Sequence, residues 1–212
     1  MFQTLLEALH EATNLTISDI LEKYPDKIFH WSPYKFDAFN SGAQGAHAAK
    51  DISVCRDRAT IIKGESPGYL YILQPKKADK KIIANFDPLY WSAKELCKIM
   101  LAKINNDFIS AVTDYTNPED PDDHWSDEVS PDKWYMDGLT PDDKDFLMRT
   151  MAMKDEKAAF RNVAKFIKSK GYDYIEYTNY GEGKPGDLSY LFFEGQDIQI
   201  IERIDLITVS DW

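Results

Sequence analysis

An α+β fold with largely antiparallel sheets is what this 212-residue sequence predicts. Three observations predict it. Apolar residues recur at helical spacing near the start and again around 93–108 and 159–167, while β-branched and aromatic runs lie between and after them. The closing strands are joined by turns too short for a parallel crossover. No glycine-rich strand-to-helix fingerprint opens a helix, which argues against a doubly wound dinucleotide fold.

Phe2, Leu5, Leu6 and Leu9 share one helical face, and Ile17, Ile20, Leu21 and Tyr24 share another. Thr16 is the N-cap of the second helix, with Asp19 three residues on, and Pro25 stops it. Residues 1–26 therefore read as a helical hairpin packed on a domain spanning 27–212. KIFHWS (27–32) reads as a strand, followed by turn residues Pro33, Asn40, Ser41 and Gly42. GAHAA (45–49) is a second strand, whose small residues let the backbone approach a ligand closely. A helix is expected from Lys50 to about Ile62, then strands at 68–75 and 81–86.

Ser92 and Glu95 form a capping-box pair for a helix carrying Cys97, Met100, Leu101, Ile104 and Phe108. Residues from about 114 to 145 are acidic and broken by Pro118, Pro121 and Pro131, as in a loop-rich insertion. Trp125, Trp134 and Tyr135 read as anchors of that insertion rather than as ligand stackers. Thr140, Pro141 and Asp143 open another helix as N-cap, N1 proline and N3 acid. Ala159, Phe160, Val163, Ala164 and Ile167 line a further helix, which Lys168, Lys170 and Gly171 bring to a stop. YDYIEYTN, LSYLFF and IQIIERIDLITV supply the closing strands, separated by the turn YGEGKPGD.

The net charge of −11 favours solubility and disfavours non-specific nucleic-acid binding. Two cysteines, Cys55 and Cys97, match no metal or redox spacing and read as reduced, partly buried thiols. No apolar run is long enough to span a membrane, and the first residues lack the pattern of a signal peptide. A cytoplasmic protein without membrane contact is the expectation.

The chain has four histidines, His10, His30, His47 and His124. His30 and His47 sit in short strands flanked by turn and small residues. No third ligand lies at a metal-like spacing. Ser32 is near His30, but no nucleophile elbow or Ser-His-acid order is legible.

IFHWSPYKFDAFN resembles the first motif of the ADP-ribosyltransferase-like superfamily, a strand with His, a Ser two residues on, and an aromatic tail matched by Phe36 and Phe39. GAHAAKD is similar to the second motif, with His47 where poly(ADP-ribose) polymerases carry tyrosine and some phage members carry histidine. AFRNVAKFIKSKGYDYIEYTN with SYLFFEGQDIQI looks like the C-terminal block of phage and prophage members; Asn179, Glu182, Ser189, Tyr190 and Phe193 fit its spacing. The likeness covers roughly 27–90 and 157–203.

The resemblance implies a split pair of small, mainly antiparallel sheets with flanking helices, holding NAD as substrate in the cleft. It implies that His30 donates to the adenosine ribose, that backbone at Trp31 clamps the nicotinamide amide with Ser32 nearby, and that His47 stacks on nicotinamide. Tyr190 and Arg56 join the cofactor set, with Arg56 and Arg58 toward the pyrophosphate. The catalytic acid falls on Glu194, with Asp197 and Gln196 as alternatives; it stabilises an oxocarbenium ion that develops only in the transition state. The implied function is mono-ADP-ribosyl transfer to a macromolecular acceptor, protein rather than nucleic acid. The alternative is an inactive binding module of the same fold that blocks a partner. The oligomeric state is not legible.

Overall fold

The computed structural model describes residues 15–39, 45–62, 67–76, 80–86, 91–110, 115–116, 124–125, 128–179, 182–184 and 186–212. The expected first helix, His10, the turn residues Asn40, Ser41 and Gly42, and Pro118 and Pro121 lie outside them.

Helix α1 (Ile17–Lys23) starts on a reciprocal cap. The Asp19 N–H donates to Thr16 Oγ1 at 3.1 Å, and the Thr16 N–H donates to the Asp19 carboxylate at 2.8 Å. Strands β1 (Ile28–Ser32) and β2 (Ala46–Ala49) follow, then α2 (Ile52–Ile61), capped by Asp51. Next come β3 (Tyr69–Pro75), β4 (Lys81–Ala84) and α3 (Ala93–Asn105). Ser92 caps α3 through the Glu95 N–H, but the Glu95 carboxylate accepts from Lys98 at 2.9 Å. Asn106 adopts a left-handed conformation (φ 56°) and ends α3, so Phe108 is exposed rather than part of the apolar face.

Two two-residue ladders organise the acidic insertion: Tyr115–Thr116 pairs with His124–Trp125 within it, and Ile109–Ser110, just before it, pairs with Glu128–Val129. Strand β5 (Trp134–Tyr135) returns the chain to the body by pairing with β4. A 3-10 turn at Pro141–Asp143, capped reciprocally by Thr140, leads into α4 (Lys144–Met151). Helix α5 (Glu156–Ser169) buries all five expected residues, Ala159, Phe160, Val163, Ala164 and Ile167. Strands β6 (Tyr174–Asn179), β7 (Asp187–Phe192) and β8 (Ile198–Asp205) complete the chain.

The fold is α+β, with a mixed eight-stranded sheet in the order β8-β3-β1-β2-β7-β6-β4-β5. All its pairings are antiparallel except β6 with β4. The expected split pair is corrected: the strands form one hydrogen-bonded sheet. Its narrowest joint is between β1 and β2, which share a single register pair, Phe29↔Ala49, whereas β1 and β3 share five.

Strand alternation divides the side chains between two faces. Phe29, Trp31, Ala49, Leu70 and Ile72 pack with Ile20 of α1 and Ile52, Val54 and Cys55 of α2. Ile82, Ala84, Ile175, Tyr177 and Leu191 pack with α3, α5 and Leu147 of α4. Ile28, Ala46, Ala48, Tyr71, Leu73, Tyr174, Tyr190 and Phe192 face the other way, against Ile198 and the partly buried Phe36 and Phe39. Among the described residues, this third cluster contains no helical residue, so one face of the sheet is covered by loop and strand alone. No helix among the described residues is long and apolar enough to cross a membrane.

Candidate functional site

His30 lies opposite Tyr71 in the β1–β3 register and points to the helix-free face. Its ring meets Phe39 edge-on at 5.0 Å and Phe36 at 6.0 Å. Phe36 in turn stacks on Tyr71 at 4.1 Å. The Tyr71 hydroxyl accepts from the Phe36 N–H and donates to the Tyr34 carbonyl, fixing this loop over the sheet.

The Nδ1 of His30 lies 2.8 Å from the backbone carbonyl of His47. A carbonyl only accepts, so Nδ1 carries the proton and Nε2 the lone pair of the neutral ring. Burial pushes the His30 pKa down to about 4, against the opposing effect of the His47 carbonyl bond and with a smaller contribution from Arg58. With Nδ1 given to the His47 carbonyl, the neutral ring has an acceptor at Nε2, where the resemblance implied a donor to a ribose. The ring also bridges β1 to β2 just beyond the pair Phe29↔Ala49.

His47 pairs with Leu191 and shares its face, the helix side. Its Nδ1 is 3.2 Å from the Tyr177 hydroxyl, and Tyr177 lies 5.0 Å from Trp91. His30 and His47 are thus joined ring to backbone, while their rings project to opposite faces of the sheet. The small residues around His47 serve packing. A Cβ at Gly45 would meet the Phe192 carbonyl at 2.5 Å and the Phe160 ring at 3.2 Å, so the close approach is to β7 and α5.

The Trp31 side chain is buried on the helix side, where its indole N–H donates to the Pro67 carbonyl at 2.8 Å. Ser32 is buried and accepts from the Tyr34 N–H at 3.1 Å, which shapes the turn after β1. Arg56 is exposed on α2. Arg58 forms an ion pair with Glu182 at 2.6 Å. The spacing of Asn179 and Glu182 has a local cause: the Asn179 side-chain oxygen accepts the Glu182 N–H at 2.9 Å. Tyr190 lies opposite Ala48 and Glu176 on the helix-free face, and burial beside Glu176 pushes its pKa up to about 12. The Glu176 carboxylate accepts from Lys81 through both oxygens at 2.7 Å.

Glu194, Gln196 and Asp197 form a tight turn between β7 and β8. A Cβ on buried Gly195 would overlap the backbone of Phe39, so the turn is seated on the segment whose ring touches His30. Lys168, from the last turn of α5, donates to Glu194 at 2.8 Å and to Asp197 Oδ1 at 3.0 Å, and its ammonium lies 2.8 Å from Asp197 Oδ2 as an ion pair. The Lys168 ammonium and the Gln196 amide hold the Glu194 carboxyl below the usual range. Sequence reasoning took Lys168 only as a helix stop signal; nothing at that position announces a partner 26 residues away. Tyr71, Tyr177, Glu176 and Lys81 were also missed, because each reads as an ordinary strand residue.

Comparison with protein-family models, curated proteins and solved structures finds no match.

Proposed function

We propose that this chain transfers ADP-ribose from NAD to a macromolecular acceptor, a protein rather than a nucleic acid. The observation that carries the reading is the joining of His30 and the acidic turn through Phe39 at the narrow β1–β2 joint. Neutral His30 accepts a ribose hydroxyl at Nε2. A carboxylate of the turn stabilises the oxocarbenium ion as the bond from ribose C1′ to the nicotinamide nitrogen breaks. The bonding pair leaves with nicotinamide, which departs neutral. An acceptor lone pair then forms the new bond to C1′, and the acceptor proton passes to solvent. The net charge of −11 favours a protein acceptor over a polyphosphate.

The role of His47 in this reading is its carbonyl, which sets the His30 tautomer. Nicotinamide release and mass spectrometry of cell extract incubated with NAD test the proposal together. Wild-type transfer should fall in His30→Ala and in at least one of Glu194→Ala and Asp197→Ala; wild-type rates in all three sink it. A second reading, a binding module without turnover, is favoured by the chain's own aromatics around His30. Partner binding with no NAD affinity in isothermal titration would select it.

A further inference from the structure

The acidic turn is asymmetric. Lys168 Nζ and Gln196 Nε2 both donate to the same oxygen of Glu194, Oε2, at 2.8 and 2.7 Å. Oε1 takes no bond among the described residues, so this carboxylate keeps acceptor capacity for a ligand hydroxyl. Asp197, by contrast, accepts from Lys168 at Oδ1, its Oδ2 is buried 2.8 Å from the same ammonium with no hydrogen bond among the described residues, and its side chain is 18% exposed against 34% for Glu194. The Asp197 N–H donates to the Glu194 carbonyl at 3.0 Å and closes the turn. Two carboxylates share one ammonium, so a negative charge remains after pairing.

We propose that Glu194 is the carboxylate that meets the ligand, and that Lys168 and Gln196 are its positioning residues, with Asp197 anchoring Lys168. The assignment rests on the ADP-ribosyl transfer reading. Two donors on one oxygen fix the carboxylate rotation and aim the other oxygen outward, which is the geometric condition for stabilising charge at a chosen point. Asp197 holds the Lys168 ammonium from the far side of the turn, so that Lys168 does not swing onto the second oxygen of Glu194. The charged groups acting on Glu194 are Lys168 and Lys165, both on α5.

The experiment measures nicotinamide release against NAD concentration and pH for the full chain and four variants. Glu194→Gln should lower kcat by about 100-fold or more, and Asp197→Asn by less than about tenfold. Lys168→Met should lower kcat about tenfold with KM for NAD little changed, and Lys168→Arg should restore most of it. The acidic limb of the rate profile should move to higher pH in Lys168→Met, because Glu194 then loses the cation that keeps it ionised. A scaffold role for Lys168 would leave that limb in place. If the wild type is active and Asp197→Asn is the more damaging variant, or the limb does not move, the assignment is overturned while the transferase reading stands. A wild type that neither binds nor cleaves NAD overturns the transferase reading and the assignment with it.

Discussion

His30 holds its proton on Nδ1 because a carbonyl sits 2.8 Å away, and it stays neutral because partial burial disfavours the charged ring. Both facts have a consequence for stability. The folded-state pKa is depressed to about 4 from the ordinary 6.5, so the unfolded chain takes up the proton first. The stabilisation is whole above pH 6.5 and is lost as pH falls through 4. Urea unfolding should therefore show a steeper fall between those limits for the wild type than for His30→Gln; parallel curves would refute it. Lys168 makes a contrasting case at the same scale. In the sequence it is a cation at a helix end, favourable there on general grounds. In the fold that end abuts the turn after β7, and the same charge becomes the partner of two carboxylates.

At the scale of elements, the caps were legible and the pairings were not. Thr16 with Asp19 and Thr140 with Asp143 form the boxes that their three-residue spacing predicts, since a cap is a contact between neighbours in the chain. Glu95 departs from the same rule because Lys98, one helical turn on, competes for its carboxylate. The segment around Asn179 shows a motif acquiring a physical meaning. Its buried side chain donates to Ser189 Oγ at 3.1 Å and accepts the Glu182 N–H, tying β6 to β7 across their turn. Asn179→Ala should cost about 1–3 kcal/mol, because the Ser189 hydroxyl and the Glu182 N–H lose their shared partner. Chemical denaturation measures it; a change under about 0.5 kcal/mol would show that water replaces the amide. The helix α2 side chains that sequence reasoning directed toward a pyrophosphate, Arg56 and Arg58, are both exposed, and Arg58 is paired with Glu182.

For the whole molecule, the decisive arrangement is a sheet with the five α-helices of the described residues contributing to clusters on one side and its His30 cluster on the other. The acidic insertion is fastened to the helix side by Trp134, which is 1% exposed and packs near Trp91 and Phe86. That bears out Trp134 as an anchor, while its neighbour Tyr135 is half exposed. Among the described residues the Trp134 indole N–H has no hydrogen-bond partner, a cost that packing has to offset. Trp134→Ala should destabilise by about 3–5 kcal/mol. Trp134→Phe should cost clearly less, since it keeps much of the packing and removes the unpaired donor. Thermal melts of both variants give the comparison, and equal losses would mean that the N–H is satisfied in solution.

The sequence by itself determined what neighbours along the chain decide: the helices with their caps, the strands with their alternation, and the α+β class. Those features rest on contacts within one or two turns, so spacing is enough to read them. Only the tertiary structure decided that β1 and β2 touch at one pair, that His30 bridges them, and that the His30 and His47 rings face opposite ways. Strand register and sheet order join residues far apart in the chain, and a shift of one residue exchanges the faces. For the same reason Lys168 came to stand between Glu194 and Asp197 without any mark in the local sequence.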